Sequence, residues 1–326
     1  MGQEVSVPSL FQLGYYWEAK IFLTSVKLDV YTPLADGPKT AKGVATAIQA
    51  DAEFLERLMD ALVSIGVLRK AETGYANIPE LAEFLVKTSR FYMGELMLLQ
   101  DAEWDHWGKL EQIVKTGLPI VSGNIFKSRP EIGAMVLSVL NRMAQRVAPG
   151  LAEKIDLSKY QSFLDVGGGA GTFSIAFCKR YPQLKAVLFD LPQTLKVTEG
   201  NVKKAGMEGQ IRLSGGDFNR DPLPGPFDVV FLSDILHYQT EEENAALFLK
   251  LYQATAPGGR VIVKDMLIND DDGNPGWNAV FSIHMMVYSE KGRCFKEEAV
   301  LRWLDKAGFC KVQEVERNTV LTAARP

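Results

Sequence analysis

Only three cysteines occur in 326 residues, Cys178, Cys294 and Cys310, an odd number with no C-x-x-C spacing. A disulfide framework and a thiolate zinc site are therefore excluded, no metal is expected, and a reducing cytoplasmic compartment fits. No run of 18 apolar residues occurs, so no membrane-spanning helix is expected, and the opening MGQEVSVPSL lacks a basic-then-apolar leader pattern. A basic excess is missing too. The chain has 36 Lys and Arg against 40 Asp and Glu, a net charge of −4, which gives no general attraction to nucleic acid or to an anionic membrane. Gly2 with Ser6 fits a myristoylation pattern. The first basic residue after it is Lys20, and no polybasic patch or nearby cysteine supplies a second anchor, so we read a chance match. Neither nucleic acid nor membrane is expected as a partner.

What is present is an ordinary globular composition, 47% apolar and 23% charged, at a length that allows two domains. The most informative stretch is Phe163-Leu164-Asp165-Val166-Gly167-Gly168-Gly169-Ala170-Gly171-Thr172-Phe173. It reads as a strand, a tight glycine turn and a helix start, the arrangement at which nucleotide-type cofactors bind. A dinucleotide fingerprint would need glycine where Thr172 stands, and a phosphate loop would need a lysine that is absent. A carboxylate at Asp165 suits a cofactor with an ammonium group. The stretch resembles the motif of class I S-adenosylmethionine (SAM) dependent methyltransferases, with a purely structural glycine turn as the other reading.

The first 150 residues read as mainly helical. Residues 9–34 carry dense apolar and aromatic positions (Leu10, Phe11, Leu13, Tyr15, Tyr16, Trp17, Ile21, Phe22, Leu23) with no wet face, so they pack either into the core or against a second subunit. Over 38–86 the pattern is that of a winged helix. Thr40 caps a helix through Ile48, Asp51 caps a second ended by Gly66, a hairpin follows, and Pro79 opens another helix. A DNA-binding regulator would show a basic face. Residues 1–100 instead hold 9 Lys and Arg against 12 Asp and Glu, a net of −3. Trp104-Asp105-His106-Trp107 falls on a helix, where adjacent residues diverge, so His106 is read as structural. Pro149-Gly150 marks a boundary. The expected domains are 1–100, winged-helix dimerisation; 101–150, a helical linker covering the substrate pocket; and 151–326, cofactor binding.

From residue 151 strands and helices alternate, which gives a Rossmann-like, doubly wound α/β sheet. Seven strands are expected: Phe163–Val166, Ala186–Phe189, Ile211–Leu213, Val229–Leu232, Val261–Lys264, and a closing hairpin near Val312–Val315 and Val320–Ala323. A helix begins at Thr240, with Glu243 completing a capping box, and stops at Pro257-Gly258-Gly259. Successive strand ends carry specific chemistry. Gly167 and Gly169 follow the first. Asp190, with Leu191 after it, ends the second and suits ribose hydroxyls. Gly216, Asp217 and Phe218 follow the third, an acid for an adenine amino group beside a ring to stack on it. Ser233 and His237 follow the fourth, and Asp265 the fifth. The order of this series, more than any one residue, indicates a site.

TGYANIPELAEFLV and KTGLP in the first half, with FLDVGGGAGT, LFDLPQT, GGDF, DILH and APGGRVIVKD in the second, make the whole chain resemble the plant-type small-molecule O-methyltransferases and their bacterial relatives. The resemblance implies a homodimer formed through the first domain, SAM bound by the second, and a small aromatic or polycyclic acceptor. It implies that His237 is the catalytic base and Asp265 its supporting acid. Two departures are visible. The family's His-Asp-Trp reads His237-Tyr238-Gln239 here, and its second acid falls on Cys294. Transfer to oxygen is the favoured reading, with transfer to carbon or a non-catalytic SAM-binding regulator as alternatives. A phenol of pKa about 10 must lose its proton to react well, and a histidine near 6.5 takes it at a cost of about 4.8 kcal/mol. An adjacent carboxylate lowers that cost. Trp277, Phe281, His284 and Tyr288 recur on one helical face and either line a flat acceptor pocket or form a core or dimer stripe.

Overall fold

Helix boundaries in the first half follow their capping residues. The structure, a computed structural model, describes residues 7–120, 126, 130–269 and 275–326, so Gly2 and Ser6 of the myristoylation pattern lie outside the described residues. Two compact units separate, Gln3–Gly108 and Lys109–Pro326. In the first, Thr40 Oγ1 accepts the Gly43 N–H to open helix Ala41–Ile48, and Asp51 accepts from Glu53 and Phe54 to open helix Ala52–Ser64. Strands β1 (Leu68–Ala71) and β2 (Gly74–Asn77) form an antiparallel hairpin. Pro79 then enters the first turn of helix Pro79–Leu85, where its missing N–H needs no partner. Apolar faces of these elements, with Val44, Leu55, Met59 and Leu62 among them, close around buried Tyr31 and Tyr75.

The apolar segment 9–34 is not one continuous buried helix. It breaks into helices Val7–Gln12 and Trp17–Leu28 and a 3-10 turn Thr32–Leu34, with Leu13-Gly14 between the first two. Glycine weakens a helix by about 1 kcal/mol, which favours the break there. Leu23 and Val26 enter the core, whereas Leu10, Leu13, Tyr15, Tyr16 and Trp17 are exposed on the single chain. Asp101 receives Lys20 at 2.6 Å and Lys27 at 2.8 Å, tying helix Trp17–Leu28 to helix Gly94–Ala102.

The second unit is built on seven strands: β3 (Ser162–Val166), β4 (Lys185–Asp190), β5 (Ile211–Gly215), β6 (Phe227–Ser233), β7 (Thr255–Lys264), β8 (Cys310–Glu316) and β9 (Val320–Ala324). Their order is β5-β4-β3-β6-β7-β9-β8, with β3 to β7 parallel and β9 antiparallel to both neighbours. Alternate residues of β6 feed opposite cores, as a strand period of two requires. Val229 and Phe231 pack among residues of helices Pro130–Lys154 and Thr172–Arg180, and Val230 and Leu232 among residues of Glu241–Ala254 and Glu297–Ala307. Both faces of the sheet are thus covered. All the strand ends at issue lie on one edge.

Two expected boundaries move. Helix Pro130–Lys154 runs through Pro149-Gly150 without stopping. Proline inside a helix costs about 3 kcal/mol, but Ala148, Leu151 and Ala152 are buried in the core beside it and offset that cost. Helix Glu241–Ala254 ends before Pro257, because β7 starts at Thr255 by pairing with Phe227. Its start has the expected capping box between Thr240 and Glu243. Among the described residues no helix is long and apolar enough to cross a membrane.

Thr240→Ala removes the side-chain half of that box, and we expect it to lower unfolding free energy by about 1 kcal/mol in urea titration. A change below about 0.3 kcal/mol would mean that tertiary packing alone sets this helix start.

Candidate active site

The glycine turn after β3 is held from below. Gly167 and Gly169 take left-handed φ angles of 68° and 55°, which glycine adopts without a side-chain clash. At Gly168 a Cβ would lie 2.8 Å from the Asp165 carboxyl carbon, so the acid sits directly beneath the turn. Asp165 is 1% exposed and its Oδ2 accepts a hydrogen bond from Ser174 Oγ at 2.5 Å. Burial pushes its pKa up to about 7, against the pull of the Ser174 hydrogen bond. The expectation that Asp165 meets a ligand ammonium therefore gives way to a different placement: this carboxyl braces the turn from inside. Above the turn, the Cβ position of Gly169 meets only Leu137 among the described residues, at 3.4 Å, which leaves space beside the turn.

Asp190, at the end of β4, is drawn into the same turn. Its Oδ2 accepts the Gly169 N–H at 2.8 Å and its Oδ1 accepts the Leu191 N–H at 2.6 Å. Burial raises its pKa, and those hydrogen bonds work against the rise. Gly216 follows β5 with no room for a side chain, since a Cβ would lie 2.3 Å from the Phe189 ring. Asp217 Oδ1 accepts the Asn219 N–H, which turns the chain so that Phe218 packs 3.5 Å from the Cβ position of Gly167. The ends of β3, β4 and β5 are thereby brought together, with Leu191 and Ser233 at the neighbouring positions. A shallow cleft beside them is lined by Phe126, Leu137, Gln193, Thr194 and Val197 among others.

His237 lies on the 3-10 turn Leu236–Tyr238, just past β6, and is buried. Its Nδ1 is 2.7 Å from Asp265 Oδ1, at the end of β7. Asp265 also accepts the Leu236 N–H at Oδ2 and the Met266 N–H at Oδ1, both at 2.8 Å. Burial alone would lower the His237 pKa, but the charge and hydrogen bond of Asp265 outweigh it and the pKa is raised. The partner shift agrees: burial would raise Asp265, yet His237 and the backbone donors hold it below the usual carboxylate range. Cys294 is close enough to feel the Asp265 charge. Burial first and that charge second push its thiol up to about 12, so it stays neutral.

Helix Trp277–Tyr288 brings part of its aromatic stripe to this point. Phe281 stands edge-on to His237 at 5.4 Å between ring centroids, His284 stacks on Phe281 at 5.4 Å, and Tyr288 follows at 4.9 Å. Burial, with the His237 charge second, lowers the His284 pKa, so it is neutral at pH 7. Trp277 departs from the expectation. It is 71% exposed, because the helix begins there beyond the part that faces His237.

Two residues that carry charge into this region went unread in the sequence, Asp234 and Lys264. Lys264 Nζ donates to both Asp234 carboxylate oxygens, at 2.8 and 2.9 Å. A signal existed, since the two fall at the ends of strands that pair side by side, with Ser233 opposite Lys264.

Comparison with known proteins places these features in context. Residues 115–310 match the O-methyltransferase domain and residues 11–88 the O-methyltransferase dimerisation domain. The chain is 31% identical over 304 residues to the tetracenomycin polyketide synthesis 8-O-methyl transferase of Streptomyces glaucescens, covering 91% of this chain and 89% of that one. It is 29% identical to the 3-hydroxy-5-methyl-1-naphthoate 3-O-methyltransferase of Streptomyces sahachiroi, covering 92% and 88%. The fold matches that of human N-acetylserotonin methyltransferase, solved with SAM, at a TM-score of 0.85 and 23% identity over 100% of this chain and 99% of that one.

The placement of Asp165 makes a pH prediction. Its folded pKa, about 7, lies above its ordinary value of 3.8. The folded chain therefore holds a proton that the unfolded chain releases, and stability falls as pH rises between those values. Asp165→Asn should flatten the dependence of Tm on pH from about pH 4 to about pH 7. Parallel Tm curves for the two proteins would place the charge elsewhere.

Proposed function

The chain belongs to the O-methyltransferase family, and on that premise we propose that it methylates a hydroxyl of a small, flat aromatic acceptor with His237 as general base. It is a SAM-dependent O-methyltransferase, and SAM supplies an electrophilic methyl group on a sulfonium. The residues present fit this cofactor. Gly169 leaves space beside the turn, Asp190 offers carboxyl oxygens for the ribose hydroxyls, and Asp217 with Phe218 suits the adenine amino group and ring face.

The observation that carries the base assignment is the 2.7 Å contact between His237 Nδ1 and Asp265 Oδ1. Asp265 is anionic, so Nδ1 must donate, which fixes the tautomer and leaves the Nε2 lone pair to take the acceptor's proton. Each unit by which Asp265 raises the His237 pKa removes about 1.4 kcal/mol from that transfer. Cys294, neutral, adds no second charge. Phe281, neutral His284 and Tyr288 supply an apolar, aromatic wall suited to a fused-ring phenol. The named relatives act on a naphthoate and in polyketide synthesis, which supports acceptors of that class.

The first unit would serve assembly, and the exposed Leu10, Leu13, Tyr15, Tyr16 and Trp17 are the surface we assign to a homodimer. Three thiols without disulfide partners suit a reducing cytoplasm.

Labelled SAM tested against hydroxylated naphthoates and larger fused-ring phenols should identify an acceptor. With it, His237→Ala should lower turnover roughly 100- to 10,000-fold and regain activity at high pH, while SAM affinity stays unchanged. Asp265→Asn should lose less and shift the acid limb of the rate profile to lower pH, since the raising charge is gone. Full activity of His237→Ala at neutral pH would refute the base assignment. For assembly, sedimentation should give twice the chain mass, and Trp17→Glu should shift the protein toward monomer. A monomeric parent protein at micromolar concentration would rule the interface out.

A further inference from the structure

Asp234 and Lys264 are held at the carboxyl edge of the sheet by two independent contacts. The Asp234 N–H donates to Lys264 O at 2.8 Å, and Lys264 Nζ donates to both Asp234 oxygens. Ser233 Oγ adds a 2.8 Å hydrogen bond to Asp234 Oδ2. The side chain of Asp234 is 42% exposed and that of Lys264 only 16%. Asp234 holds this position with a left-handed φ of 56°, a conformation that Asp and Asn adopt more readily than other residues with a side chain. Lys264 Nζ also lies 5.4 Å from the centroid of Phe173, the second residue of the helix that leaves the glycine turn. The pair thus stands between that turn and His237, whose pKa feels both charges.

Strand order fixes what a ligand meets along this edge. Asp217 and Phe218 follow β5, Asp190 ends β4, the glycine turn follows β3, then come Asp234 after β6 and Lys264 at the end of β7. A nucleoside held at β5 and β4 would leave the glycine turn and the end of β6 to meet the rest of SAM. That portion carries an α-ammonium and an α-carboxylate. Asp165 cannot receive the ammonium, because it is sealed beneath the turn on Ser174.

We propose that the Asp234–Lys264 ion pair is the seat of the α-amino-acid end of SAM, with Asp234 taking the ammonium and Lys264 the carboxylate. The inference rests on the methyltransferase reading above. In the free protein each side chain stands in for the ligand group that its partner will meet. Binding exchanges one ion pair for two, and the charge-assisted hydrogen bonds that each side chain loses are replaced by those it gains. Lysine suits this exchange, since its three donors on a flexible stem can turn from one carboxylate to another.

The test uses titration calorimetry on the full chain with three ligands that differ only at this end. S-adenosylhomocysteine (SAH) carries both charges, decarboxylated SAH keeps only the ammonium, and 5′-methylthioadenosine has neither. Lys264→Met should weaken SAH roughly 10- to 100-fold and leave the other two within about twofold. Asp234→Asn, which tolerates the left-handed backbone, should weaken SAH and decarboxylated SAH by a similar factor and leave methylthioadenosine unchanged. Equal losses for all three ligands would mean that the pair is only a staple between strands, and no loss would mean that it faces away from the ligand. Either result overturns the proposal. Failure of the parent protein to bind any of the three would instead overturn the methyltransferase reading itself.

Discussion

The buried carboxylate of Asp265 is the constraint on which the His237 end of the sheet edge depends. A charge in the interior is tolerated only when its lone pairs are satisfied. Asp265 meets that condition with His237 Nδ1 and the N–H groups of Leu236 and Met266. Each partner is thereby fixed in turn. The turn it holds is closed from the other side as well, since Leu236 O accepts from Asn244 and His237 O accepts the Arg293 N–H. The imidazole has little freedom left, so its orientation is a property of the fold before any acceptor arrives. In the proposed base role, preorganisation of this kind removes a reorganisation cost from proton transfer.

The two halves of the edge divide the labour by charge. At β3 and β4 the acids are pushed toward neutrality by burial, and they shape the glycine turn. At β6 and β7 the acids are paired, Asp234 with the Lys264 ammonium and Asp265 with the imidazole, and that imidazole helps hold Asp265 below the usual carboxylate range. Identical side chains therefore do opposite work a few strands apart, and the difference comes from desolvation against pairing.

Much of this architecture was legible because it is written locally. Thr40, Asp51 and Thr240 announce helix starts through their own side chains, and the glycine turn needs no distant partner to be recognised. Strand alternation likewise predicted all seven members of the sheet. The direction of a side chain at a strand end is not local. Whether Asp165 faces a ligand or the core is decided by Ser174, nine residues on, and by a glycine that leaves room for it. Trp277 shares a helical face with Phe281 in sequence, but the helix has reached solvent by that turn. Pro149 signals a break that core packing on either side overrides. Asp234 and Lys264 were missed for the same reason, since neither is informative until β6 and β7 are laid side by side.

The antiparallel insertion of β9 between β7 and β8 also governs the order in which the protein can be assembled during synthesis. The Asp265 N–H donates to Thr319 O, and β7 pairs along its free side with Val320–Ala324. Until residues 319–324 emerge, the strand that ends in Asp265 is an open edge with Val261 and Val263 on one face. Open edges of this kind pair readily with other chains. A nascent chain that has already formed its glycine turn therefore still lacks the backbone support of Asp265. The free edge of β7 is covered only when Val320–Ala324 pair with it.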